Sequence, residues 1–431
     1  MSTLQWAAIQ PLTGGMYVAA EQAFKNPAKW ILSYPGLEQK IFNKDGKCIN
    51  MGNERHLLEY LKKKKSLPPY IQFTHGMFDY EWGSPVTYQN DNEYSSPFDL
   101  KQLDNYKGGE IDLVCAVPVC SGLSGANTQD HGKLDSSKNN NLKFLTKYVL
   151  QSIKPKVYIF ENAPGLYTNK GNLVREYLND VAMANSYSVT YIKTDTNLHH
   201  NIQSRPRTFV IFWKGIAPPM LNYEQAKEAG VLEYLAKIPK KASQNSAEHI
   251  LNDVTENLEF KFLKKKFGPN WRDTVERCRF KSFIIANKLS DEFYKFHEDA
   301  KLKAHYDYCI SKRAIQKGYF DRSFFSVGNE KFPTVYHGNS WSALHPKEDR
   351  CLTFREYMHL MGLPADFEYQ HTRFTFGSVI GQNVPVGTAY FWINECKRVL
   401  ENWPKAGELG IMFHDNIHPT KQAFWRTDVR Q

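Results

Sequence analysis

Two apolar runs constrain the fold more than any other feature of the chain. Ile111-Asp112-Leu113-Val114-Cys115-Ala116-Val117 stops at Pro118, and Val157-Tyr158-Ile159-Phe160 runs into Glu161-Asn162-Ala163-Pro164-Gly165. Runs this short, closed by proline and glycine, read as buried strands. Between them Leu142, Leu145, Tyr148, Val149 and Ile153 fall on one helical face. After the second run, Leu173, Val174, Tyr177, Leu178 and Val181 do the same. Further strands read at residues 188–192 and 208–213. The chain opens in the same rhythm, with strand Ala7-Ala8-Ile9, turn Gly14-Gly15, helix 16–24 and strand Trp30-Ile31-Leu32. This alternation predicts an α/β fold with a doubly wound, mostly parallel sheet covered by helices on both faces.

A chain of 431 residues suggests about two domains. We expect a sheet domain from residues 1–213 and 376–431, with 36–109 as an insertion. Residues 214–375 form a second, smaller domain, because the lysine-rich stretch 214–333 lacks the strand rhythm. At 42% hydrophobic and 23% charged, the composition is that of an ordinary globular protein. No run approaches the roughly 20 apolar residues of a membrane span. Residues 1–10 show no secretory signal, so a cytoplasmic protein is expected, nucleoid-associated if bacterial or phage-encoded. Seven cysteines without paired spacing argue against a disulfide framework or a metal site. The net charge of +10, with lysine runs at 62–65 and 261–266, favours a polyanionic partner. A monomer is expected.

The chemistry gathers at the strand ends, where open α/β sheets bind their ligands. Cys120 follows the first run, Glu161 follows the second, and Gln203-Ser204-Arg205-Pro206-Arg207 precedes the strand at 208–213. Cys115, inside its strand, reads as a small buried hydrophobe. Arg205 and Arg207 are two residues apart and would share a face of an extended segment. One thiol, one carboxyl and an arginine pair suit attack on a pyrimidine ring. Carbon 5 of cytosine is a poor nucleophile until a thiolate adds to carbon 6 and breaks the aromaticity. A cysteine is nucleophilic enough for that addition near neutral pH.

In this arrangement the chain resembles the cytosine-C5 DNA methyltransferases, across most of residues 6–400 and in the family's motif order. Pro118-Val119-Cys120 is similar to its Pro-Pro-Cys loop and Glu161-Asn162-Ala163 to its Glu-Asn-Val. Gln203-Ser204-Arg205-Pro206-Arg207 fits Gln-x-Arg-x-Arg. Arg350-Cys351-Leu352-Thr353-Phe354-Arg355-Glu356 with Met361-Gly362-Leu363-Pro364 resembles Arg-x-Leu-Thr-x-Arg-Glu…Gln-Gly-Phe-Pro. Gly381-Gln382-Asn383-Val384-Pro385 resembles Gly-Asn-x-Val-Pro.

The resemblance implies a Rossmann-like methyltransferase that uses S-adenosylmethionine to methylate C5 of a flipped-out cytosine in double-stranded DNA. Cys120 would be the nucleophile, and Glu161 would contact N3 and the 4-amino group. Arg207 would hold O2, and Arg205 would support the cysteine loop. Gly14, Gly15, Asp99, Pro118, Gln382 and Asn383 would serve the cofactor, and residues 214–375 would recognise the target. The departures lie in the cofactor half. Gln10-Pro11-Leu12-Thr13-Gly14-Gly15 replaces Phe-x-Gly-x-Gly-Gly, and Ser33-Tyr34-Pro35 stands where an acid is expected, with Glu38 the nearest. Two alternatives follow: a transfer RNA cytosine-C5 methyltransferase, and a DNA-binding member with a degenerate cofactor pocket. The sequence leaves open whether the product serves restriction-modification or phage DNA modification.

Overall fold

The computed structural model describes residues 3–33, 54–75, 86–87, 111–125, 132–134, 137–297, 324–336, 342–369, 373–403 and 423–425. The chain forms two compact units: residues 1–200, 206–226 and 383–431, and residues 201–205 and 227–382. The sequence places these boundaries at 213 and 376. Most of the expected insertion at 36–109 lies outside the described residues.

The first unit is built on one sheet. Its strands are β1 (Trp6–Ile9), β2 (Trp30–Ser33), β3 (Tyr70–His75), β4 (Val86–Thr87), β5 (Leu113–Ala116), β6 (Val157–Asn162), β7 (Tyr187–Asp195), β8 (Pro206–Lys214) and β9 (Ala423–Trp425). Their order across the sheet is β9-β7-β8-β6-β5-β1-β2-β3-β4. Pairings β1–β2, β2–β3, β1–β5 and β5–β6 are parallel. Strand β8 lies antiparallel to both β6 and β7, so β7 runs in the direction of β6. Six strands therefore share one direction, as the strand–helix alternation predicts. Strands β4, β8 and β9 run the other way, and at β8 the cause is simple. The β7–β8 connection is too short for a crossover helix, and antiparallel pairing is what remains.

The helices cover the sheet with the faces their periodicity marks. Leu142, Leu145, Tyr148, Val149 and Ile153 are all buried, on helix Ser137–Tyr148 and the π turn that continues it. On helix Asn172–Ala184 the buried line is Val174, Leu178 and Ala182, an i, i+4, i+8 row. Leu173, expected on that face, is 54% exposed, because it sits one position off the row. Helix Val386–Glu401 packs along helix Gly15–Phe24. The longer helix buries Val386, Ala389, Trp392, Ile393 and Cys396, and the shorter one is buried over nearly all its length.

The second unit has its own core, with Phe260, Phe262, Leu263, Trp271, Phe280, Ile284 and Phe293 among its members. Its aromatics meet edge to face, as Phe260 with Trp271 at 5.2 Å and Phe262 with Phe293 at 5.3 Å. The segment 350–356 is a helix start. Thr353 and Glu356 form a capping box, and Arg350 grips the Glu356 carboxylate through two bonds of 2.8 and 2.9 Å. Arg355 is buried and donates to the Leu363 and Pro364 carbonyls.

A buried histidine, His199, and a half-buried one, His359, set an acid limit on stability. Burial pushes His199 down to about 4, with charge repulsion from His200 a smaller cause. Burial likewise pushes His359 down to about 4, although its Nε2–H donates to the Tyr234 carbonyl at 3.0 Å. In the unfolded chain both titrate near the ordinary 6.5. Their contribution is therefore complete above pH 6.5 and is lost as pH falls toward 4. Each removes up to about 1.4 kcal/mol per pH unit in that window. Urea midpoints measured from pH 7 to pH 4 should fall accordingly, and His359→Gln should flatten the slope. An unchanged slope in that variant would remove His359 from the account.

Candidate active site

Strands β5, β6 and β8 are neighbours, and their ends deliver the candidate groups to one edge. Pro118 is buried, Val119 is exposed and Cys120 is half-buried against the core. Cys120 begins a 3-10 turn over Ser121–Leu123, and its carbonyl accepts from the Leu123 N–H at 3.1 Å. The loop is held from both sides. The Val119 N–H donates to Asn141 Oδ1 at 2.8 Å, and the Asn162 amide approaches the Val119 carbonyl at 3.5 Å. Asn162 follows Glu161 and Val119 precedes Cys120, so acid and thiol sit on adjoining, linked loops.

Glu161 lies at the end of β6, 3% exposed in an apolar sheet. Arg207, near the start of β8, places Nε 2.7 Å from Glu161 Oε1, and its Nη1 donates to the Pro206 carbonyl at 2.7 Å. A buried carboxylate needs such a partner, and the planar guanidinium is held in one orientation by the second bond. The sheet register places Thr194 opposite Arg207, and Phe209 opposite Glu161. A half-buried thiol beside a carboxyl–guanidinium pair provides a nucleophile, a proton-handling group and a fixed positive charge.

Arg205 lies outside strand β8. It belongs to the second compact unit, where it donates to the Val335 carbonyl at 2.5 Å and the Gly381 carbonyl at 2.9 Å. Its neighbours are lodged there too. Gln203 donates to the Leu360 carbonyl at 3.0 Å and accepts from the Val335 N–H at 3.0 Å. Strand β8 begins at Pro206, so Arg205 lies one residue before it. Its guanidinium braces these two carbonyls.

The glycine turn after β1 is tightly built. Gly14 has φ +108 and caps helix Gly15–Phe24. The Gly15 N–H donates to Asn383 Oδ1 at 2.8 Å, and a Cβ on Gly15 would lie 1.8 Å from the Val384 carbonyl oxygen. The first and last motifs are thus joined by direct backbone approach. Asn383 is buried, whereas Gln382 is exposed and closes the second unit. Asp99 and Glu38 lie outside the described residues. Gln10 and Leu12 both hold left-handed backbone, at φ +50 and +52, a strained state for non-glycine residues. Gln10 is buried, and its Oε1 has no hydrogen-bond partner among the described residues.

Sequence reasoning passed over Gln10, Asn139, Asn141 and Asn162. The signal for the first helix start was present: three consecutive asparagines open a helix, although asparagine is a poor helix former. Asn139 and Asn141 are both buried.

The C-5 cytosine-specific DNA methylase family model matches residues 78–398. A candidate type II methyltransferase of Methanocaldococcus jannaschii is 22% identical over 307 residues, covering 70% of this chain and 69% of that protein. The Entamoeba histolytica methyltransferase EhMeth superposes with a TM-score of 0.53 at 14% identity, over 94% of this chain and 100% of that one. A candidate DNA modification methyltransferase encoded within an E. coli prophage gives 0.51 at 16% identity, over 92% and 99%. The two structures share the fold, and the family match runs through the Cys120, Glu161 and Arg207 motifs. The chain belongs to the C-5 cytosine-specific DNA methylase family.

Proposed function

We propose that the protein is a DNA (cytosine-5-)-methyltransferase acting on double-stranded DNA. The observation that carries this is the Glu161–Arg207 pair, 2.7 Å apart on the loop edge linked to Cys120. No duplex base exposes C6 to a thiol, so the target cytosine is extruded at a few kcal/mol. The Cys120 Sγ–C6 bond forms, the ring takes a proton at N3 from Glu161, and C5 becomes an enamine carbon. Arg207 fixes the Glu161 carboxyl and sets a positive charge beside the ring. Once C5 carries the methyl group, a base takes the C5 proton, the Sγ–C6 bond breaks to release the Cys120 thiolate, and N3 returns its proton to Glu161.

S-adenosylmethionine, when bound, supplies the electrophilic methyl group. The turn after β1 fits such a nucleoside. It stands at the carboxyl edge of a central strand, presents a helix N-terminus, and leaves the buried Gln10 Oε1 without a partner. Gly14, Gly15 and Asn383 shape that turn, and Pro118, just after β5, Gln382 and Asp99 are proposed contributors. Arg205 is a positioning residue. The second unit is the target-recognition domain. Its helix Leu258–Phe267 turns Lys261, Lys264, Lys265 and Lys266 to solvent, which suits a phosphate backbone.

The test is incubation with methyl-labelled S-adenosylmethionine and mixed-sequence duplex DNA, with transfer RNA in parallel, followed by base-resolution mapping. Label at C5 of cytosine in the duplex is expected. Label confined to transfer RNA would overturn the DNA assignment. No label in either would overturn methyl transfer.

A further inference from the structure

Asn141 sits at the start of the second turn of helix Ser137–Tyr148, 3% exposed. Its Oδ1 accepts the N–H of Val119, the residue before the thiol, at 2.8 Å. Two positions earlier, the buried Asn139 donates through Nδ2 to the Lys133 carbonyl at 2.6 Å. The two amides therefore hold the loop on either side of Cys120, while the Gly132 N–H closes it on the Gly122 carbonyl at 2.9 Å. The chemistry of the partners fixes both amide orientations. An N–H needs the Asn141 oxygen, and a carbonyl needs the Asn139 nitrogen. Each amide leaves its other polar atom, Asn141 Nδ2 and Asn139 Oδ1, buried with no partner among the described residues. Two half-satisfied asparagines are a cost that packing alone does not explain.

We propose that Asn141 is a positioning residue for the nucleophile, holding Cys120 in register through the N–H of Val119. This rests on the reading of Cys120 as the nucleophile. Asparagine at this place is needed because residue 119 carries an N–H. A proline there would carry none. A thiol displaced by about 1 Å loses on the order of 100-fold in rate. The dependence on Asn141 is therefore conditional on Val119, which separates positioning from general support of the fold.

The experiment follows Cys120 adduct formation on a duplex carrying 5-fluorocytosine, in the full chain with S-adenosylmethionine. Four proteins are compared: wild type, Asn141→Ala, Val119→Pro and the double variant. Cofactor and duplex affinities are measured alongside. Asn141→Ala is expected to slow adduct formation about 10- to 100-fold with both affinities unchanged. In the Val119→Pro background the same substitution is expected to cost less than about threefold, because the donor is gone. Equal losses in both backgrounds, or wild-type speed in Asn141→Ala, would overturn the proposal. If Asn141→Ala fails to fold while the double variant folds and reacts, that is the same coupling read in stability. A double variant that fails as badly as the single one overturns it. No adduct in wild type would instead count against the nucleophile itself.

Discussion

Cys120→Ser is expected to abolish methyl transfer, with a loss of about 10⁴-fold or more, while duplex binding is retained. The hydroxyl is a far weaker nucleophile than a thiolate at neutral pH, and of the four other described thiols three are buried, while Cys278 is half-buried and belongs to the second unit. Cys115 and Cys396 are fully buried, and burial pushes the Cys115 thiol up to about 12. Cys351 is buried in the core of the other unit, and burial pushes it up to about 12 as well. The substitution removes little packing, since the Cys120 side chain is only half-buried. Mass spectrometry of the 5-fluorocytosine adduct reads the result directly. Wild type should be trapped on the peptide containing residue 120, and Cys120→Ser should give no adduct. An adduct on another cysteine would remove Cys120 from the mechanism.

Glu161→Gln is expected to lower kcat by about 10²- to 10⁴-fold, with a smaller change in the affinity for cofactor. The amide keeps the shape of the carboxyl but cannot pass a proton to the ring. It also removes the charge that pairs with Arg207 at a site that is almost fully buried. The Arg207 guanidinium would then be left with its bond to the Pro206 carbonyl and an uncompensated charge. Arg207→Lys should share part of this phenotype, because an ammonium cannot hold the carboxyl and a carbonyl in one fixed plane. Single-turnover kinetics with labelled methyl donor separates the chemical step from binding. Wild-type single-turnover rates in Glu161→Gln would exclude it as the proton-handling group.

The parts of this molecule that depend on local pattern were readable from the chain. The apolar runs at 111–117 and 157–160 became strands β5 and β6, and the helical face through Leu142 and Ile153 is buried as its spacing requires. Family membership was readable because several short motifs occur in order, each placed at a strand end by the fold. What could not be read depends on partners distant in sequence. Arg205 is bound to carbonyls 130 and 176 residues away, and no periodicity announces such a contact. Asn141 acquires its role from a backbone N–H 22 residues earlier, which becomes important only because residue 119 is not proline. The reversed direction of β8 was hidden for another reason. An apolar strand reads the same in either direction, and only the length of the β7–β8 connection decides.

The bond from the Gly15 N–H to Asn383 spans 368 residues of chain. During synthesis at about 5–20 residues per second, helix Gly15–Phe24 therefore waits roughly 20–75 s for the segment that covers it. Through that interval the helix lacks its native cover from helix Val386–Glu401. An exposed apolar helix on a nascent chain is a substrate for holdase chaperones and for aggregation at high expression. The same delay has a protective side. Because the turn that would hold the methyl donor is pinned by Asn383, a ribosome-bound or prematurely terminated chain cannot finish its donor site.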